Sequence, residues 1–567
     1  MPDKLNDLPR FDLGLTMAGA ISAGAYTAGV VDFLIEALDS WETGKRNSDP
    51  LAPQHSVGLK VISGASAGSI TAAILAAALR YKFPHIRMKN QEDGIKNPLY
   101  DSWVNMIDIR HLLEHRDIVK GKQPLSLLDS TRLLEIAQKA INYGEGVPTI
   151  DRPYLGEPTR FIFTLTNLRG VPYSYSLGSV GGDGQDMSMH ADCLRFALIG
   201  LGKVGPSAIR ANEYVLEYPS GSTSKWDTWG NPFAVAALAS SAFPIGLAPR
   251  ELVRRVTDYD YVKVVVPEGG GRPAEARTIS PAWSLINPRP IDEYQFAIVD
   301  GGTINNEPLE LARVELCNGD PLARNERDGN AATRAVVMVD PFTGPEGPGP
   351  KTISTMSLLT SVLSLFSALK NQARFKPDDV ALAIDDTVYS RFLISPVRDG
   401  AKKDNSSYAI ACGSLGGFGG FLSQRFREHD FFLGRRNCQR FLERHLTLPE
   451  NNPLFACWTA DQRNLFKQQK EKADGTISIE LPIIPLMQAI QPFLGQAETT
   501  PAWPVGACDP DSLKDQIKAR LDAIYDGFVS GARGLLVLLG WKFYLRPKAI
   551  EFVMKAVNDK LKEHNLL

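Results

Sequence analysis

The chain has 567 residues, 44% hydrophobic and 22% charged, with a formal net charge of −2. That length allows a large core and more than one domain, the composition is that of a folded globular protein, and the near-neutral balance supplies no global field toward nucleic acid or an anionic membrane. Six cysteines stand singly at 193, 317, 412, 438, 457 and 508, with no Cys-x-x-Cys pair, which argues against a disulfide framework or a zinc ribbon and fits a reducing compartment.

The N-terminus, MPDKLNDLPRFDLGL, has charges but no apolar signal core, and predicts no secretory leader. Residues 11–17 (FDLGLTM) read as a strand, 18–29 as a glycine- and alanine-rich loop, and 29–39 as a helix with apolar positions at helical spacing. A second strand is expected at 58–63 and an alanine-rich helix at 67–81. Residues 61–79 carry no charge and are about long enough to cross a bilayer, but Gly64, Ser66, Gly68 and Ser69 divide them into strand, turn and helix. A strand, a glycine loop and a helix, used twice, predict an α/β core with a parallel component.

Further along, 102–142 reads as mainly helical with turns. Strands are expected at 160–166, 295–299 and 334–339, with an irregular insertion at 267–290. Glycine and proline cluster in DPFTGPEGPGPK, 340–351, which reads as a linker. Beyond it the apolar run 353–369 is too short and serine-rich for a span and predicts a buried or interfacial helix. The last helix begins near Pro547, with an apolar stripe at Ile550, Val553, Ala556, Val557 and Leu561.

Three stretches bear chemistry. The first is Gly64-Ala65-Ser66-Ala67-Gly68, between the second strand and its helix. A serine hydroxyl needs a base to take its proton and donors for the oxyanion that forms. A sharp strand-to-helix turn exposes the hydroxyl, and small neighbours suit the crowded backbone. The following helix aims N–H groups and the positive end of its dipole at the site. The second stretch is Asp300-Gly301-Gly302, after the strand QFAIV; an aspartate at a strand end, followed by two glycines, can approach another turn closely, although Asp-Gly is also a common turn pair. The third is Met17 to Gly29, whose loop could direct successive N–H groups at an anion. It lacks both Gly-x-Gly-x-x-Gly and Gly-Lys-Ser/Thr, so it is a poor nucleotide-phosphate loop.

The order of these stretches, with a fourth block Ala239-Ser240-Ser241-Ala242-Phe243-Pro244 ahead of the aspartate and Asn306 and Pro308 after it, resembles the patatin-like phospholipase family over roughly residues 10–340. The resemblance implies a three-layer α/β/α domain around a mixed central sheet. It implies hydrolysis of lipid acyl esters by a dyad, with Ser66 as nucleophile and Asp300 as general base. It places Gly19 and Ala20 in the oxyanion loop, and it calls for no metal or organic cofactor. The family commonly shows Gly-Gly-Gly-x-Arg/Lys-Gly in that loop; here it reads Met-Ala-Gly-Ala-Ile-Ser-Ala-Gly, without the basic residue.

Rival readings are a Ser66–Asp300–His429 triad, or a base at His190, His111 or His115. His111-Leu112-Leu113-Glu114-His115 also matches H-x-x-E-H, but leucines dominate it and no third ligand follows. In 412–445, Arg425, Arg427, Arg435, Arg436, Arg440 and Arg444 interleave with six phenylalanines. That pattern suits a lipid-headgroup surface, or a helix packing its rings inward while its arginines pair with Glu428, Asp430 and Glu443.

The expectation is therefore an α/β catalytic domain over 10–340 and a mainly helical extension over 350–567. The substrate would be a phospholipid or other acyl ester, with transient contact at the membrane surface and no nucleic-acid partner. The protein would be cytoplasmic, in part peripheral at the membrane. A general carboxylesterase or acyltransferase with the same dyad, or a non-catalytic membrane-binding protein on the same fold, are the alternatives.

Overall fold

The computed structural model describes residues 8–567 apart from 120–121, 176–184, 221–222, 288, 343–367, 369–371, 373–384, 386, 400–407, 473–474, 493–494 and 529–540. Most of the expected linker 340–351 and nearly all of the apolar run 353–369 lie outside the described residues.

Five parallel strands lead the architecture. β1 (Arg10–Met17) pairs on one side with β2 (Ser56–Gly64) and on the other with a late strand, Arg334–Val339. β2 then pairs in parallel with the long β3 (Leu155–Tyr175). β3 carries β4 (Gln185–Leu198) antiparallel, and β4 carries β5 (Glu213–Leu216). The far half of β3 also pairs with β9 (Glu293–Asp300), which pairs with β6 (Arg250–Arg255). Between them, β7 (Lys263–Val266) and β8 (Glu275–Thr278) form a separate hairpin; β7 precedes the 267–290 insertion expected to be irregular, and β8 lies inside it. The late strand is β10, and β11 (Arg391–Ile394) adds to it in parallel.

Alternation along the strands sorts their side chains onto two faces. Val61, Ile162, Val336 and Met338 pack with Leu309, Ala312 and Leu316 of the Leu309–Leu316 helix. Their neighbours Ile62, Phe161, Phe163, Val337 and Val339 face the larger core, with helices α1 (Gly24–Arg46) and α2 (Ala67–Ala78). The result is the mixed sheet flanked by helices that the sequence predicts. Helix α1 runs well beyond the expected 29–39. With the short turn before it, it is long and apolar enough to cross a membrane by length and composition, but 89% of its apolar window is buried inside the fold.

The C-terminal region is helical and also contributes strands. β12 (Thr447–Pro449), β14 (Ile477–Pro482) and β13 (Gln468–Glu471) form a small antiparallel sheet in that order. The Gln424–Arg444 helix lies on α1. At their crossing a Cβ on Gly29 would strike the Phe431 carbonyl, and one on Gly434 would strike that of Tyr26. Phe426, Phe431, Phe432 and Phe441 are buried there. Arg435 is buried in ion pairs with Asp32, Glu36 and Glu498, Arg436 and Arg440 pair with Asp399, and Arg444 pairs with Glu443. The inward-packing alternative thus holds for the rings, while the arginines take partners other than Glu428 and Asp430. Asp430 instead receives the N–H groups of Ala411 and Cys412.

Candidate active site

The carboxyl ends of parallel strands leave a crevice where α/β proteins commonly place their sites. β1 and β2 end in register, Met17 opposite Gly64. The loop leaving β1 and the turn leaving β2 therefore emerge side by side, joined by Ala65 N–H to the Met17 carbonyl at 3.1 Å. β3 continues past the end of β2: Phe163 lies opposite Gly64, and Leu165 lies opposite Asp300. This register carries the end of β9 to the turn after β2.

Ser66 occupies that turn, immediately before α2, with φ 51° and ψ −123°. A non-glycine residue held at positive φ is a backbone outlier of the kind found at functional sites. A Cβ on Gly64 would meet the main chain at Gly68 and Ser69, and one on Gly68 would meet the Met17 carbonyl. The elbow closes only because both are glycine. Its strain is held by hydrogen bonds: Ser66 N–H donates to Ser240 Oγ at 2.9 Å, and Ser240 Oγ also lies 2.9 Å from Ser69 Oγ.

Ser66 Oγ donates to Asp300 Oδ2 at 2.9 Å, and both residues are buried. The other carboxylate oxygen, Oδ1, accepts the N–H of Gly302 at 2.7 Å. The Asp300 main chain is fixed as well, its N–H on the Ala242 carbonyl and its carbonyl under Thr166 Oγ1. Gly301 packs against the Thr164 carbonyl so closely that a Cβ there would strike it. Asn306 ties this segment to the first loop: its carbonyl accepts Gly19 N–H at 3.1 Å, and its side-chain amide reaches the Gly19 carbonyl at 3.4 Å.

Gly19, Ile21, Ser66, Phe243, Pro244, Asp300, Gly302, Thr303 and Asn306 line a cleft of about 30 Å³. Among the described residues, the N–H groups of Ala20, Ile21 and Ala67 meet no protein acceptor. This combination, a strained serine between strand and helix with a carboxylate on its hydroxyl and uncommitted N–H donors beside it, can support acyl transfer. The sequence model of patatin-like phospholipases matches residues 15–313.

The chain belongs to the patatin-like phospholipase family. Members of that family are in general serine hydrolases acting on lipid esters. This patatin-like chain is also 36% identical over 597 residues to an uncharacterised protein, y4iI, of Sinorhizobium fredii, covering 98% of the chain and 82% of the relative. Among solved structures it is similar to VipD from Legionella pneumophila at 11% identity and a TM-score of 0.21, over 98% of this chain and 86% of that one.

The histidine readings come apart in the structure. His429 lies on the Gln424–Arg444 helix, its Nδ1 2.8 Å from Asp430 and its ring against Trp503. His190 Nδ1 faces the Asn167 carbonyl, and His111 Nδ1 faces Glu114. The short helix bearing His111 ends at Leu112, so the H-x-x-E-H pair does not share a helical face. Among the described residues, no histidine lines the cleft at Ser66.

In the sequence Ser240 and Asn306 stand out only as parts of motif blocks. Their contacts with the Ser66 N–H and with Gly19 lie between residues 174 and 287 positions apart, and no local pattern reports them. A second cavity of about 40 Å³ was also without a signal. It is wholly apolar, lies against α2 beyond Ser66, and includes Ile70, Ile74, Trp103, Ile136, Ala137 and Leu238.

Proposed function

We propose that this protein is a lipid acyl hydrolase of phospholipase A or lysophospholipase type, working through a Ser66–Asp300 dyad. The observation that carries the reading is the 2.9 Å hydrogen bond from Ser66 Oγ to Asp300 Oδ2 at a strained strand-to-helix turn. As Ser66 Oγ bonds to the ester carbonyl carbon, Asp300 takes the hydroxyl proton. The tetrahedral oxyanion is held by backbone N–H groups. Gly19 N–H already serves the Asn306 carbonyl, so its neighbours Ala20 and Ile21, with Ala67 across the cleft, supply the donors. Gly19 contributes its lack of a side chain, since a Cβ there would strike Asn306.

Collapse breaks the carbonyl–alkoxy bond and passes the proton from Asp300 to the leaving alcohol. Water then attacks the acyl-Ser66 ester, giving its proton to Asp300, and Ser66 recovers its proton as the acid departs. Gly302 N–H, fixed on Oδ1, keeps Oδ2 on the serine throughout. In this reading residues 10–340 carry the catalysis, 350–567 extend it, and the substrate arrives from a lipid surface through transient contact.

A cleft of about 30 Å³ holds about one water; in this reading the acyl chain takes the apolar cavity along α2, whose lining begins at Ile70, one helical turn past Ser66. The test is fatty-acid release from mixed phospholipid vesicles. Ser66→Ala and Asp300→Asn should abolish it and His429→Asn should retain it. Release that survives Ser66→Ala would reject the reading.

A further inference from the structure

The loop after β1 is held from a distant part of the chain. It enters a short turn, Ile21–Ala23, with Ile21 at φ 49°. A β-branched residue is a poor occupant of the left-handed region, so surrounding contacts must hold it there. Ser22, fully buried, makes the contact. Its Oγ donates to the Gly417 carbonyl at 2.5 Å and accepts Gly420 N–H at 2.9 Å.

The segment that receives Ser22 is shaped for it. Leu415, Gly416 and Gly417 are consecutive left-handed residues, with φ of 55°, 65° and 100°. A Cβ on Gly420 would lie 2.6 Å from Ser22 Oγ, and one on Gly417 would lie 3.3 Å from Ile21 Cδ1. From its other side the segment is anchored to the Gln424–Arg444 helix. Asp430 accepts the N–H groups of Ala411 and Cys412 at 2.8 and 2.9 Å, and Arg427 donates to the Gly420 carbonyl at 2.6 Å.

We propose that Ser22 is a positioning residue that sets the oxyanion donors by fastening the Ala20–Ala23 turn to Gly417 and Gly420; this rests on the hydrolase reading above. Ser22 does not line the cleft, whereas its neighbour Ile21 does. It therefore acts through the backbone it holds. Oxyanion donors work because they are aimed before the charge develops, and a displacement of about 1 Å is enough to cost about a hundredfold in rate. The glycine-rich stretch at 413–420 thus becomes part of the hydrolytic machinery although it lies far from Ser66 in sequence.

The test uses the full chain with a soluble p-nitrophenyl ester and an alkyl fluorophosphonate that labels Ser66. Ser22→Ala should lower kcat and the labelling rate together, by at least about tenfold, while KM stays within about twofold. Gly420→Ala, which brings a methyl onto Ser22 Oγ from the opposite side, should lower the same kcat. Melting temperatures and hydrogen exchange guard against a fold effect: exchange should quicken at residues 18–24 and 411–420 and stay as in the wild type across the central sheet. An active wild type whose kcat is unmoved by Ser22→Ala and Gly420→Ala overturns the positioning role alone. So does a loss of kcat accompanied by faster exchange throughout the sheet. A wild type that neither hydrolyses esters nor takes the phosphonate overturns the hydrolase reading and the positioning role with it.

Discussion

The main-chain N–H of Ser66 is bonded to the hydroxyl of Ser240 at 2.9 Å, so the elbow is braced by the segment that precedes the aspartate strand. Ser240 is fully buried and also meets Ser69 Oγ. Ser240→Ala would leave the buried Ser66 N–H without an acceptor, at a cost of about 1–3 kcal/mol. The expected outcome is an unfolding free energy lowered by that amount and a fall in kcat larger than the change in KM. Denaturant titration and steady-state kinetics of the same preparation check both.

The apolar slot along α2 implies a chain-length effect. Ala137 borders it from the Thr131–Ile141 helix. Ala137→Trp should fill the slot and reduce kcat/KM for long-chain acyl esters by at least about tenfold, since lost apolar burial is worth about 0.8 kcal/mol for each methylene. Short-chain esters should be hydrolysed nearly as before. A series of p-nitrophenyl esters of increasing length gives the comparison, and a uniform loss across the series would place the acyl chain elsewhere.

His55 makes stability sensitive to acid. It is fully buried, its Nε2 on the Ile483 carbonyl and its Nδ1 accepting the Trp458 indole N–H. That arrangement admits only the neutral ring, and burial pushes its pKa down to about 3. The unfolded chain takes a proton near the ordinary value of 6.5, whereas the folded protein does not. Stability is therefore complete above that value and declines as pH falls toward 3. The loss attributable to His55 at pH 5 is about 2 kcal/mol. His55→Gln should lower stability at pH 7 and flatten the slope between pH 6.5 and 4, read from denaturant unfolding at several pH values.

The crossing of α1 and the Gln424–Arg444 helix leaves no room for side chains at Gly29 and Gly434. Gly434→Ala places a methyl on the Tyr26 carbonyl, a main-chain neighbour that cannot rotate away. Overpacking of this kind costs about 1–3 kcal/mol. Because this helix anchors the segment that Ser22 grips, activity should fall at temperatures where the protein is still folded. Thermal melting and activity measured across temperature separate the two effects.

Much of the core was legible because it is local. FDLGLTM and RAVVMV read directly as β1 and β10, and the second of these has the bounds expected. Gly-Ala-Ser-Ala-Gly lies between β2 and α2 as read, since small residues and a switch from extended to helical pattern mark a tight turn. The strand β4 was missed although its outer half alternates, Met187, Met189 and Ala191 against Asp186, Ser188 and His190, because that half is exposed and holds no β-branched or aromatic residue. The C-terminal strands β11, β12 and β13 were missed as well, each being too short for a periodic signal; β14, six residues long, was missed too. Ser22 was invisible for a different reason. Its partners lie 395 and 398 residues away, and a serine in an alanine-rich loop bears no mark of a clamp. Arg435 reads as one of many surface arginines until Asp32, Glu36 and Glu498 surround it.

The most direct measurement of the central claim is mass spectrometry of the protein quenched in acid during turnover of a lysophospholipid. The dyad predicts one acyl adduct, on the peptide containing Ser66, in the wild type and in His429→Asn. It predicts no adduct in Ser66→Ala or Asp300→Asn. An adduct on another residue, or turnover that persists in Asp300→Asn at the wild-type rate, would contradict an aspartate-activated serine at this turn.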